Sequence, residues 1–159
     1  MIIECLGRRG YQEVEVQLSP DRSQLFEKHA NLRNVKNVLA IISNNGSAAI
    51  ALGLAQVLAQ QGFKTGMLKY RLEAPRLESS KMLTPDATIE PISVDSIKCM
   101  SLELLGCTDS SPLMLTKLLL NTSWGALDFL LIDTSEENMK SATLMDLPFQ
   151  GGIIVNKPI

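Results

Sequence analysis

The sequence predicts an α/β domain built on a mostly parallel, doubly wound sheet. Three observations carry this expectation. Compact apolar runs at 36–43 and 128–133 have the unbroken hydrophobicity of strands buried on both faces. Between them lie stretches with apolar residues at helical spacing, and strands that alternate with helices build parallel sheets. Finally, a chain of 159 residues, 45% of them apolar, is long enough to bury the core such a sheet needs.

The elements follow in order. Residues 12–18, QEVEVQL, alternate polar and apolar like a half-buried strand. Ser19, Pro20 and Asp21 then suit a helix start: a capping serine, a first-position proline and an acid at the positive helix end. Residues 36–43 form the first buried strand. A tight polar loop, Asn44, Asn45, Gly46 and Ser47, leads into a helix over 48–61. That helix places Ile50, Leu54, Val57 and Leu58 on one face, and Gly62 closes it. Residues 64–69 read as the next strand. A short helix is expected near 76–82, and extended segments at 88–93 and 97–105. Ser111 and Pro112 open another helix with Leu115, Leu118 and Leu119 inward, ending near Trp124 and Gly125. The strand DFLLID at 128–133 ends in a carboxylate, and 152–155 form a final strand.

Composition excludes several functions. The formal net charge is −2 with scattered cations, and aromatic residues make up 4%, so neither a nucleic-acid footprint nor base-stacking platforms are expected. No apolar run is long enough to span a bilayer, and the N-terminus has no secretory apolar core. A cytoplasmic protein without membrane partners is the expectation. Cys5, Cys99 and Cys107 form no C-x-x-C pair, so neither a disulfide framework nor a metal site within one chain is expected. Cys99 reads as a small buried hydrophobe; Cys107, in a polar loop, is either that loop's ordinary residue or a reactive thiol. His29 reads as a half-exposed helix residue.

In doubly wound sheets ligands bind outside the carboxyl ends of the strands. The polar segments at 43–47, 69–71 and 133–137 are therefore the candidate site on fold logic alone.

LRNVKNVLAIIS, ALGLAQVLAQQGFKTGMLK, IEPISVDSIKCMSLELLG, PLMLTKLLLNTSWGALDFLLID and GGIIVNKP, in that order and spacing, resemble the Mrp/ApbC-type iron–sulfur cluster carriers. These are a MinD-like branch of the deviant P-loop ATPases. The resemblance implies a P-loop NTPase fold, C-terminally truncated relative to the family. It also implies a division into a strand segment at 1–19 like the end of the family's accessory domain, a linking helix at 20–35, and the ATPase-like domain at 36–159. Family members work as homodimers, bind ATP with magnesium, and hold a cluster between subunits through a C-x-x-C pair.

Against that pattern the nucleotide loop is changed. A P-loop needs glycines to expose N–H groups, a lysine for the terminal phosphates and a hydroxyl for magnesium. Here the loop is about three residues short of the motif. Gly46 matches the last glycine, Ser47 stands at the lysine and Ala48 at the hydroxyl. The family's paired aspartates after the second strand are here Lys69 and Arg71, and Asp133 matches the magnesium-linked aspartate. Asn44, Asn45, Gly46, Ser47, Ala48, Lys69, Arg71 and Asp133 are thus read as a vestigial nucleotide site. Within it Lys69 or Arg71 pairs with Asp133 or Glu136, points into water, or holds a phosphate without metal.

The expected function is a Mrp-like pseudo-ATPase acting as an interaction or regulatory module. The alternative is a carrier that binds ATP or phosphate weakly. No cofactor is expected beyond weak ATP. A homodimer, a larger assembly or an intact family paralogue is the expected partner, because the family's C-terminal strands are missing from the sheet.

Overall fold

A computed structural model describes residues 14–18, 30–43, 48–69, 88–106, 111–140, 147 and 149–156, the first of these ranges and residue 48 by backbone alone. The strands are β1 (Val14–Leu18), β2 (Val38–Ser43), β3 (Thr65–Lys69), β4 (Ile92–Val94), β5 (Ile97–Ser101), β6 (Phe129–Thr134) and β7 (Gly151–Val155). The α-helices are α1 (Ala48–Gln60), α2 (Pro112–Asn121) and α3 (Glu136–Met139). The helix expected over 20–35 is described only from residue 30, where the chain forms a 3₁₀ turn, Ala30–Leu32, and the helix expected at 76–82 falls outside the described residues.

The strands form one sheet in the order β1-β7-β2-β6-β3-β5-β4. The inner strands β7, β2, β6, β3 and β5 run parallel, and each edge strand pairs antiparallel to its neighbour. The parallel α/β expectation therefore holds. The run at 36–43 is interior, but the middle place belongs to β6. β1 lies along the outer side of β7, with Val14 opposite Val155.

The helices form for legible reasons. α1 buries Ile50, Leu54 and Leu58 together with Ala51 and Ala55, while Val57 is only half-buried. The small alanines let the helix lie close to the sheet, which turns its buried stripe one position away from Val57. Its end is closed at Gly62 (φ +88°), with the Gly62 N–H donating to Ala59 and the Phe63 N–H to Leu58. α2 starts as expected: the Ser111 hydroxyl accepts from the Met114 N–H at 3.3 Å, and Pro112 occupies the first turn. It ends at Asn121, where the Thr122 hydroxyl donates to the Leu118 carbonyl and the Trp124 indole to the Leu119 carbonyl, at 2.6 and 2.9 Å. The extended segment expected at 97–105 stops at Ser101 and tightens into a 3₁₀ turn, Glu103–Leu105. There the Ser101 hydroxyl accepts from the Leu104 N–H and ends the ladder.

Two cores flank the sheet. One lies between α1 and the sheet face carrying Ile41, Met67, Cys99, Leu131 and Ile153. The other joins α2, Trp124 and Leu32 to the face carrying Ala40, Leu68, Met100, Leu130 and Ile132. At the amino ends of the strands, Asp128 ties three beginnings together. It takes the Lys36 ammonium at 2.7 Å and the Lys64 N–H at 2.9 Å, and its own N–H donates to the Lys64 carbonyl. These bonds, with the two lysine charges, hold the Asp128 carboxyl below its ordinary value.

Candidate functional site

Chemistry in this fold belongs to the carboxyl ends of the parallel strands, and side-chain alternation decides which residues meet there. Ile41, Met67, Leu131 and Cys99 face α1. Two residues further along, on the same face, stand Ser43 of β2, Lys69 of β3, Asp133 of β6 and Ser101 of β5. The register puts Asp133 opposite Ile41, and Lys69 opposite Ser101. Leu68 pairs with Ile132, so Lys69 and Asp133 end neighbouring strands at the same level. Both are buried, at 7% and 4% exposure. α1 opens directly after β2, and the first N–H groups of a helix have no partner within it. The start of α1 therefore carries a partial positive charge.

Of the residues expected to form the site, Lys69 and Asp133 come together here, with Ala48 opening α1. Asn44, Asn45, Gly46, Ser47 and Arg71 lie outside the described residues. Of the alternatives for these charges, an ion pair of Lys69 with Asp133 or Glu136 is absent among the described residues, and Arg71 lies outside them. Among the described residues Lys69 makes no ion pair, while Glu136 meets Lys140 at 3.7 Å within the short helix α3. The reason is local. Ser135 caps α3 by accepting the Asn138 N–H at 3.1 Å, which turns Glu136 onto an exposed helical face one turn from Lys140. Asp133 has bonding partners of its own.

Sequence reasoning missed Ser101 and the α3 cap. The alternation Ile97, Cys99, Ser101 marked the first, and Ser135 followed by two acids marked the second. Thr134, next to Asp133 but on the opposite face, has a buried hydroxyl oxygen without a hydrogen-bond partner among the described residues.

Cys99 is buried beneath α1 as expected. Burial pushes its thiol up to about 11, against the pull of the nearby Lys69 ammonium and with a small further rise from Asp95. A thiol held protonated is a poor metal ligand. Among the described residues no group of three or more His, Cys, Asp or Glu side chains is placed to hold a metal ion, and Asp133 alone is an incomplete magnesium site. No helix among them is long and apolar enough to cross a membrane.

A model of the family described as ParA, NUBPL iron-transfer P-loop NTPase, matches residues 34–159, which is most of the chain. The chain belongs to the NUBPL iron-transfer P-loop NTPase family. An iron–sulfur cluster carrier protein of Synechocystis is 26% identical over 94% of this chain and 49% of its own length. The carrier of Escherichia coli K12 is 24% identical over 98% of this chain and 48% of its own. A cytosolic Fe-S cluster assembly factor, the Nubp2 homologue of Drosophila ananassae, is 29% identical over 80% of this chain and 59% of its own. The chain thus spans about half to three-fifths of the curated relatives it matches. Among solved structures, a nucleotide-binding protein of Archaeoglobus fulgidus in complex with ADP superposes with a TM-score of 0.51 at 24% identity. It covers 79% of this chain and 55% of its own, and agrees in fold.

These comparisons correct one expectation. The sequence reading allowed no cofactor beyond weak ATP. The iron-transfer family match and the cluster-carrier names of the relatives overturn that. The reading took one chain's cysteine spacing and one loop lysine as its measure, and neither decides what a family fold carries.

Proposed function

We propose that this chain serves iron–sulfur cluster assembly as a nucleotide-binding member of the iron-transfer family, working in the cytoplasm beside a second copy or an intact relative. The observation that carries the reading is the family match over 34–159, with relatives named for carrying or assembling clusters. The row at the strand ends supports it, because α1's start, Lys69 and Asp133 converge where this fold class takes its ligands. The cytosolic name of the Drosophila relative supports the compartment.

The residues fit a phosphate chain better than a magnesium ion. The helix start and the Lys69 ammonium attract anions, whereas one carboxylate and an alanine at the hydroxyl position give magnesium little to bind. When bound, a nucleotide would supply a switchable anionic ligand. α1 would offer N–H donors and Lys69 a positive charge.

A second reading, a non-catalytic interaction or regulatory module, draws on Ser47 standing at the P-loop lysine. Calorimetric titration with ATP, in magnesium and in chelator, separates the two. Saturable heat in either buffer supports the nucleotide-binding carrier, and no heat in both leaves the interaction module. Anaerobic reconstitution with iron and sulfide, followed by visible absorption, tests the cluster half of the proposal. A chain that stays colourless alone and in the presence of an intact relative would count against it.

A further inference from the structure

Lys69 is unusual for its place. Lysines are rarely this buried without a partner, and one that is keeps its ammonium where water or an anion can reach it. Yet at 7% exposure its side chain makes no hydrogen bond or ion pair among the described residues. Its neighbours account for its direction but not its charge. Met67, two residues earlier, packs under α1, and the field of Lys69 reaches the Cys99 thiol on that same face. Ser101 opposite is occupied by the Leu104 N–H, and Asp133 has partners of its own. The side chain therefore lies on the α1 side of the sheet, at the carboxyl end of β3.

Between Lys69 and the strand that feeds α1 lies a single strand, β6. Two strand spacings come to about 10 Å. A single phosphate at the helix start would not span that distance to the root of Lys69, whereas a chain of phosphates leaning toward β3 meets an extended lysine part-way.

We propose that Lys69 is the cation that binds the distal phosphates of a nucleoside di- or triphosphate, supplied from the end of β3 rather than from the loop before α1. The inference rests on the nucleotide-binding reading above and goes further by naming the residue and the part of the ligand it holds. Positive charge that the loop lacks at Ser47 has moved across the sheet to a strand end.

The test is calorimetry of ATP and of inorganic tripolyphosphate against the wild-type chain, Lys69→Met and Lys69→Arg, in chelator and in magnesium. Methionine keeps the unbranched stem and removes the charge. In chelator, Lys69→Met should bind both ligands about 10- to 100-fold more weakly, the loss of one charged hydrogen bond. Lys69→Arg should stay close to wild type, and magnesium should narrow the gap by sharing the neutralisation. Equal affinity in wild type and a folded Lys69→Met would overturn this inference and leave nucleotide binding standing. No binding by the wild type would sink both. If Lys69→Met does not fold by circular dichroism, acetylation of Lys69 in the wild type, followed by peptide mass, replaces it. ATP should slow that reaction, and an unchanged rate would refute the assignment.

Discussion

Gly66 sits on β3 between the half of the sheet that α2 covers and the strand end that carries Lys69. A methyl group added there would lie 2.5 Å from Leu127 Cδ1, 3.1 Å from Leu130 Cδ1 and 3.3 Å from Trp124 Cε3. All three neighbours are buried, and Trp124 is pinned through its indole bond to Leu119, so none can swing into water. Gly66→Ala is therefore an overpacking change, costing about 1–3 kcal/mol. The more restricted unfolded chain returns about 0.4–1 kcal/mol. The net loss is about 1–2 kcal/mol, and at about 2–4 °C per kcal/mol for a domain of this size the melting temperature should fall by about 2–8 °C. Gly152→Ala is the control, because its methyl would meet Ile42 Cδ1 at 3.6 Å, an ordinary contact. Urea unfolding of both variants, followed by circular dichroism, reads the difference. If Gly66→Ala proves as stable as Gly152→Ala, the close approach of Trp124 and Leu127 to β3 is not what fixes glycine at 66.

Two further outcomes are expected. Asp95 and Ser96 form the two-residue turn between β4 and β5, both at positive φ (49° and 67°), so Ser96→Gly should relieve strain and raise stability by about 0.5–1 kcal/mol in the same urea assay. The Asp128 carboxyl is held below its ordinary value of 3.8, so its contribution is fully present above that pH and disappears as the pH falls through the lower folded value. Asp128→Asn should accordingly be less stable than wild type at neutral pH, with the difference closing only in strong acid.

Much of this architecture was legible because periodicity and punctuation agreed. Continuous apolar runs marked β2 and β6, Gly62 and Ser111 marked where helices stop and start, and the leucine spacing of α2 named its buried face correctly. What escaped notice depended on neighbours distant in sequence. The stripe of α1 turned from Val57 toward Ala51 and Ala55 because the sheet rewards close approach, which hydrophobicity alone does not encode. The 3₁₀ turn after β5 follows from one serine hydroxyl capping Leu104, a contact with no periodic signature. At the strand ends, the register places Lys69 and Asp133 on neighbouring strands at one level, as side-chain alternation implies. How their charges are satisfied was not legible, because proximity in a register does not fix where two flexible side chains bond.

The Asp128 clasp has a consequence for how variants of this chain can be interpreted. It joins the beginnings of β2, β3 and β6, while Ser43, Lys69 and Asp133 stand at their far ends. Strands of five or six residues separate the two poles by about 17–20 Å. That exceeds the screening distance of about 8–10 Å in ordinary buffers. Charges exchanged at the ligand pole should leave the titration of the clasp untouched, and their effects on stability should add rather than couple. Acid unfolding curves of Lys69 variants should thus keep the same Asp128 signature. A shift in ligand affinity in those variants can then be read as chemistry at the strand ends, free of any loosening of the scaffold beneath it.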